Sequence, residues 1–226
     1  MPFRSCSRRL REIWCRAHLS EDDWDTHYHD LMLQMHTLLV RRMTYCAGDF
    51  KGCKKTVAHI LTYALSLGGK MPAYFTLTEC LCAECQLLEA LEVGREFPGK
   101  LWQHIPRRPR NRHVLVELLK AKCLLRGKSE EDLFNLNTTK DENVVFAMKL
   151  RMGLVGAAWV AVEPEFLALL CTRMARLSLL RGLSNCSAAG FGSYGAVLET
   201  TGKHSEVYRY RKLLKGFWND SKHYAA

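Results

Sequence analysis

The chain has 226 residues, of which 48% are hydrophobic and 25% are charged, and its net charge is +10. This length and apolar content suffice for one large domain or two small ones with a buried core. The longest apolar stretch, residues 152–162, is too short for a membrane span, and no signal-peptide core is present, so we expect neither membrane insertion nor secretion. The ten cysteines are then most simply reduced thiols in a cytoplasmic protein.

The positive charge is concentrated in two segments. Residues 1–19 carry five arginines and one glutamate, and residues 97–116 carry five basic residues and no acidic one. A nucleic-acid groove spreads basic residues along its length and interleaves aromatic residues as a stacking platform, and neither segment has this pattern. We therefore favour solvated charge, or docking onto an acidic protein surface, over nucleic-acid binding. The candidate partner contacts are Arg107, Arg108, Arg110 and Arg112.

Hydrophobic periodicity predicts four helices in the first 96 residues. Apolar residues recur at helical spacing over residues 27–46 and 53–67, then from Pro72 to about Leu87, and again from Glu89. A proline suits the first turn of a helix, so we expect Pro72 to open the third of them.

Short turns with a common pattern separate these helices. An apolar helix end is followed by a glycine that can take a left-handed conformation, a polar turn and a new helix. This pattern predicts structural roles for Gly48, Asp49 and Phe50, and it recurs around Gly202. A weaker copy has Cys85 in the place of the glycine.

The spacing of these turn markers indicates a repeat. It is 37 residues from Gly48 to Cys85 and 117 residues from Cys85 to Gly202, which is close to three times the first interval. A period of this size is typical of stacked helical hairpins that bind a partner on a concave surface. No alternating strand pattern of useful length occurs in the sequence. We therefore predict an all-α chain of antiparallel helical hairpins stacked as an α-solenoid.

The second half resumes the helical pattern after a basic, proline-rich segment. Residues 97–112 break every periodicity and predict a connector. Helices are predicted at His113–Leu125, at Asp141–Val162 and from Pro164 onward, and the segment from Ser129 to Asp132 predicts a further helix start.

The junction that follows the Pro164 helix predicts a tight hairpin. Gly182 can take the left-handed conformation, and Leu183 can fold back onto the last helical turn. Ser184 can then cap the following helix by accepting its free N–H groups. A turn this short places two antiparallel helices side by side.

A third set of glycines imitates a phosphate-binding loop. The segment from Gly190 to Gly195 matches the pattern G-x-G-x-x-G, but that pattern requires a strand before the glycines. A helical segment precedes them here. We therefore favour close packing of helices at Gly192 and Gly195 over phosphate binding.

Two clusters contain residue types that bind metals. Cys80, Cys82 and Cys85 include half of a zinc-ligand set, but no second pair recurs at ligand spacing. We favour buried helix cysteines, and zinc binding at this cluster stays open. His27 and His29 lie beside two carboxylates, yet positions 27 and 29 point in different directions on a helix. We assign no catalytic, cofactor-binding or metal-binding residue.

A series of short motifs runs through residues 24–218. In chain order they are Tyr45-Cys46-x-Gly48-Asp49-Phe50, Ala64-Leu65-Ser66-Leu67, Leu87-Leu88-Glu89-Ala90-Leu91, Gly127-Lys128-Ser129, Gly182-Leu183-Ser184 and Gly190-Phe191-x-x-Tyr194-Gly195. Their order resembles the tetratricopeptide-like (TPR-like) helical region that follows the ATPase module in AAA-type (STAND-like) signal-transduction ATPases.

This resemblance implies a TPR-like α-solenoid and a division of the chain. The implied parts are a basic N-terminal arm (1–23), a TPR-like helical block (24–96), a basic proline-rich connector (97–112), a second helical-repeat block (113–218) and a tail (219–226).

The resemblance also implies a function. Such a segment is a non-enzymatic scaffold or regulatory part of a signal-transduction ATPase, in contact with a protein partner or an attached ATPase or kinase-type domain. The sequence contains no Walker motif and no kinase or cyclase signature, so we expect no enzyme and no cofactor, and an excised segment of a larger ATPase. The alternative is a nucleic-acid-associated adaptor that uses the basic connector.

Overall fold

The protein is seen here as a computed structural model that describes residues 29–43, 47–96, 105–106, 108–202 and 204–220. These residues contain ten α-helices and no β-strand, so the prediction of an all-α chain is confirmed for them. The helices are α1 (His29–Arg42), α2 (Phe50–Tyr63), α3 (Leu67–Ala83), α4 (Leu87–Glu96), α5 (Asn111–Leu125), α6 (Glu130–Phe134), α7 (Glu142–Val160), α8 (Pro164–Arg181), α9 (Ser187–Glu199) and α10 (His204–Asp220).

Part of the predicted organisation lies outside the described residues. This applies to the N-terminal arm, to His27, to Arg107, to residues 97–104 of the connector and to the end of the tail. Helix α5 begins at Asn111, two residues inside the predicted connector. The predicted division at the connector stays a prediction.

Contacts along the chain define two compact units, Met1–Cys80 and Leu81–Ala226. The first unit contains α1, α2 and most of α3, and the second contains α4 to α10. The boundary between them falls near the end of α3.

The first unit has a small core in which thiols take part beside aliphatic side chains. Helix α1 packs against α2, and Val40, Val57 and Ile60 are fully buried. Two cysteines from different helices meet in this core, with the Sγ atoms of Cys53 and Cys80 2.7 Å apart. The unit therefore uses small, soft side chains to bring its helices close together.

The second unit is built by a regular succession of helix contacts. Helix α4 packs on α7 and α5 packs on α8, and the chain then continues with α7 on α8, α8 on α9 and α9 on α10. Gly94 of α4 allows close packing, because a Cβ atom at that position would collide with Leu154 of α7. When the five-residue helix α6 is not counted, these contacts join helices that are one or two positions apart along the chain.

Large aromatic side chains fill the core of this unit. Phe166, Phe191 and Tyr194 are fully buried. The ring of Tyr194 meets the ring of Tyr210 edge to face, with centroids 5.1 Å apart, which is a favoured aromatic geometry. This packing holds α9 against α10.

The helix around Pro72 begins earlier than the sequence predicts. Helix α3 starts at Leu67, because Ser66 accepts a hydrogen bond from the N–H of Gly69 at 3.1 Å and so caps the first turn. Pro72 consequently lies inside the helix and not in its first turn. It removes the bond to the carbonyl of residue 68, where a glycine tolerates the local adjustment.

One described helix, α7, is long and apolar enough to cross a membrane by length and composition. Of its most apolar window, 44% is buried inside the protein. The core helix of a protein without any membrane span can have the same length and composition, so these properties do not distinguish a core helix from a membrane span.

Candidate functional site

The outward face of α5 carries three apolar side chains side by side. Leu115, Val116 and Leu119 are 57%, 48% and 54% exposed, and Cys123 continues the same face one turn later. Positions i, i+1, i+4 and i+8 lie on one side of a helix. Single exposed apolar residues are ordinary, but a contiguous group on one face is typical of an interaction site. We call this group the α5 face.

Basic residues surround the α5 face. Arg108, Arg110 and Arg112 are exposed at the start of the helix, and Lys120 and Arg126 are exposed farther along it. Residues 108–128 contain one acidic side chain, Glu117, and it is buried. The exposed charges of this segment are therefore all positive, which favours an acidic ligand.

Arg108, Arg110 and Arg112 lie at the N-terminal end of α5, where positive charge does not stabilise a helix. The first turn of a helix carries a partial positive charge, and acidic residues are favoured there. The first turn of α5 has no acidic residue. The start is held instead by His113, whose Nδ1 accepts the N–H of Arg110 at 3.0 Å. Arginines at this helix end therefore call for a reason other than helix stability.

The inner side of α5 is fixed by a buried ionic cluster. Glu117 forms an ion pair and a hydrogen bond with Arg176 of α8, and its Oε1 lies 3.7 Å from Nη2 of Arg173 on the same helix. Lys120, on the outer side, approaches the same carboxylate at 3.3 Å. These contacts set the rotation of α5 on α8 and so determine which residues of α5 point outward.

The cluster shifts the pKa of Glu117 and that of Arg151, a buried residue of α7. Burial alone raises the pKa of Glu117, but Arg173, Arg176 and Lys120 together outweigh it and lower the pKa below the ordinary 4.5. Burial, reinforced by Arg173 and Arg176 and opposed by Glu117, lowers the pKa of Arg151 to about 9. Glu117 is thus ionised and Arg151 is still a cation at neutral pH.

Three of the predicted turn markers adopt the left-handed conformation. The φ angles are +62° at Gly48, +58° at Cys85 and +75° at Gly202. Cysteine is strained there and glycine is not, which makes the turn at Cys85 unusual. Asp49 caps α2 by accepting the N–H of Gly52 at 2.9 Å, and Phe50 is the first residue of that helix.

The junction after α8 is longer than the sequence predicts, and Leu183 pairs with the backbone of residues 137–139 and not with the last helical turn. Gly182 has a φ angle of +99°, and a Cβ atom there would collide with the carbonyl oxygen of Asn137. Leu183 is buried and exchanges backbone hydrogen bonds with Asn137 and Thr139, both 2.8 Å long. This close backbone approach needs a glycine.

The prediction that Ser184 caps the following helix is wrong. Helix α9 begins at Ser187, and the residue before it is Cys186. The hydroxyl of Ser184 accepts the N–H of Cys186 at 3.3 Å, while its own N–H donates to the hydroxyl of Ser187 at 2.8 Å. Ser184 thus closes a separate turn before the helix starts.

The glycines of the G-x-G-x-x-G segment lie inside α9, and a helix precedes them. A Cβ atom at Gly195 would stand 2.9 Å from the Cβ of Tyr210, and one at Gly190 would stand 3.2 Å from the Cβ of Met174. Gly192 is partly buried on the same helix. At two of these positions the missing side chain lets neighbouring helices approach.

The cysteine cluster divides between two environments. Cys80 points into the core of the first unit, whereas Cys85 is exposed in its left-handed turn. Among the described residues, no three His, Cys, Asp or Glu side chains are grouped in a way that could hold a metal ion.

Of the predicted partner contacts, Arg108, Arg110 and Arg112 lie at the start of the α5 face, and their contact with a partner stays a prediction; the apolar part of the face was not predicted. Leu115, Val116 and Leu119 look like core residues in the sequence, since they match a helical period. Comparison with known proteins adds no further assignment: no protein family, no curated protein and no solved structure matches this chain.

Proposed function

We propose that this protein is a non-enzymatic helical-repeat scaffold that binds an acidic amphipathic segment of a protein partner on the α5 face. The observation that carries the proposal is the exposed apolar group of Leu115, Val116 and Leu119 inside a ring of basic residues. An amphipathic helix lays its apolar side chains on such a face, and its acidic side chains reach the surrounding cations.

The helix contacts support the repeat architecture. With the one-turn α6 left aside, α4 on α7 and α5 on α8 are contacts between helices two positions apart along the chain, as between neighbouring repeats of a solenoid. The contacts α7 on α8 and α9 on α10 are those within a hairpin. Left-handed turns at residues 48, 85 and 202 recur at the sequence interval that suggested the repeat. We propose a TPR-like solenoid on these grounds.

The resemblance to helical regions of signal-transduction ATPases names a class of partner. On the proposed reading, an attached ATPase or kinase-type domain, or a separate signalling protein, presents the acidic segment. If that domain has one conformation that exposes the segment and another that covers it, binding to the α5 face favours the first conformation and so regulates the domain.

A nucleic-acid adaptor is the second candidate, and the exposed arginines at the start of α5 favour it. Phosphates would suit these residues. The centre of the face, however, is aliphatic, and aliphatic side chains supply neither base stacking nor base-edge hydrogen bonds. A protein partner uses both halves of the face, so it is the better fit.

The test is selection from a display library of random peptides on the purified full chain. We expect enrichment of peptides that combine acidic residues with apolar residues at helical spacing. Their binding should be lost in the double variant Leu115→Ser, Leu119→Ser and kept in a control variant, Tyr208→Ser, because Tyr208 is exposed on another helix. Enriched peptides without acidic residues, or binding that the double variant retains, would count against the proposal. Tight binding of a duplex or single-stranded oligonucleotide, lost on replacing the arginines, would favour the second candidate.

A further inference from the structure

Helix α7 has an outward face that is apolar and unusually open. Met152, Trp159 and Val160 are exposed, Trp159 by 73%. Between them lie Gly153 and Gly156, and a Cβ atom built on either glycine meets nothing within 4 Å. The five residues occupy one side of the helix, at spacings of three and four. We call this group the α7 face.

The α7 face ends in a strained residue. Val162, which follows the helix, is 80% exposed and has a φ angle of +56°. A β-branched residue is rarely found in the left-handed region, and an exposed one gains no burial in return. The chain thus keeps an apolar side chain projecting next to Trp159 and Val160 at a cost to its own stability.

We infer that the α7 face joins two copies of this chain through an antiparallel crossing of their α7 helices. A two-fold axis at Gly156 places opposite each other residues that lie equally far before and after position 156. Trp159 of one copy then lies over Gly153 of the second, and Met152 lies against Val160, each twice. The largest side chain of the face meets the open glycine, so the face complements itself, as a two-fold interface requires.

The charges at the two ends of the face select the same arrangement. Lys149 is exposed seven residues before Gly156, and Glu163 lies seven residues after it. Glu163 is 36% exposed at its side chain and stands 4.0 Å from Arg95, whose closer acidic neighbour is Glu92 at 2.6 Å. An antiparallel crossing brings Lys149 of each copy toward Glu163 of the other. A parallel crossing would bring like charges together, which is unfavourable.

A lipid bilayer is a poorer fit to the same face. The opposite side of α7 is buried within the second unit through Ala147, Leu150 and Leu154, so lipid could surround one side only. An interfacial helix also carries several basic residues along its borders, whereas this face has the single base Lys149 at one end and Glu163 at the other. A second copy of the chain satisfies both the apolar and the charged parts of the face.

The test measures the oligomeric state of the full chain by analytical ultracentrifugation over a wide range of concentration. We expect a monomer–dimer equilibrium that Gly153→Leu abolishes, because leucine fills the space that Trp159 of the second copy occupies. Trp159→Ala should weaken the dimer by about thirtyfold, as expected for a central aromatic contact. Circular dichroism checks that each variant is folded; both positions are exposed, so the fold should not change.

Charge reversal tests the antiparallel register. Lys149→Glu alone and Glu163→Lys alone should each weaken the dimer by roughly tenfold, since each occurs twice in the interface. The double reversal should restore the affinity. A monomer at every concentration would overturn the inference, and so would a dimer indifferent to Gly153→Leu. Binding to phosphatidylserine vesicles that Trp159→Ala abolishes, without any dimer, would assign the face to a membrane. A dimer that the double reversal leaves weak would refute the antiparallel crossing.

Discussion

The second unit presents two outward apolar faces, and they differ in almost every other respect. The α5 face has aliphatic side chains in a ring of basic residues, and its helix is fixed from beneath by Glu117 and two arginines. The α7 face has a tryptophan beside open glycines and one charge of each sign at its ends. A face with excess charge of one sign calls for a partner of the opposite sign. A face that is balanced and self-complementary can accept another copy of itself.

We predict that the buried ion pairs of Glu117 with Arg173 and Arg176 stabilise the fold beneath the α5 face. Glu117→Gln leaves Arg173 and Arg176 without their carboxylate, and breaking a buried pair in this way costs about 3–5 kcal/mol. We expect the free energy of unfolding, measured by urea titration, to fall by that amount. Glu131→Gln, at an exposed acid of α6, is the matched control and should change it by less than about 0.5 kcal/mol. Equal effects of the two substitutions would show that the cluster is not a structural support.

Glycines provide a second contrast, between packed and open positions. Gly195→Ala should lower the free energy of unfolding by about 1 kcal/mol, because overpacking against Tyr210 outweighs the gain in helix propensity. Gly156→Ala places the same methyl group in open space and should raise it by about 0.5–1 kcal/mol. Both variants are compared by thermal and urea unfolding at a concentration where the chain is monomeric. Stabilisation by both would mean that α9 and α10 are not in close contact.

The ionic support also predicts a dependence on pH. The pKa of Glu117 is lower in the folded chain than its ordinary value of 4.5, despite the opposing effect of burial. Its stabilising contribution is therefore fully present above pH 4.5 and is lost as the pH falls through the lower, folded pKa. The difference in stability between the wild-type chain and Glu117→Gln should shrink over that acid range and stay constant from pH 5 to 7. A difference that grows on acidification would contradict this assignment.

The smallest effect on stability is expected from the basic ring. Replacing Arg108, Arg110 and Arg112 by serine should leave the free energy of unfolding within about 0.5 kcal/mol of the wild-type value, since all three side chains are exposed. The same change should slow association with an acidic peptide and flatten its dependence on salt. Stopped-flow association rates at low and high salt provide the measurement. Serine replacement of Lys51, Lys54 and Lys55 in the first unit removes the same number of positive charges and should have no such effect.

Local features of the fold were predictable from the sequence, and contacts between distant residues were not. Ser129 caps the start of α6 and Pro164 is the first residue of α8, as predicted, because helix caps and first-turn prolines act within a few residues. Ser184 misled us, since the same hydroxyl also closes a turn that precedes a helix. The pairing of Glu117 with Arg176 spans 59 positions and leaves no periodic trace in the sequence. The inner side of α5, and with it the exposure of Leu115 and Leu119, is set by contacts with distant helices, so the α5 face could not be predicted.

The most direct test of this account is whether the two faces can be inactivated separately. The affinity for a library-selected acidic peptide and the dimer dissociation constant are measured for Leu119→Ser and for Trp159→Ala. We predict that Leu119→Ser weakens peptide binding at least tenfold and leaves the dimer unchanged, while Trp159→Ala does the reverse. If both substitutions weaken both affinities together, the faces do not act as separate sites and the assignment of the α5 face to a protein partner fails.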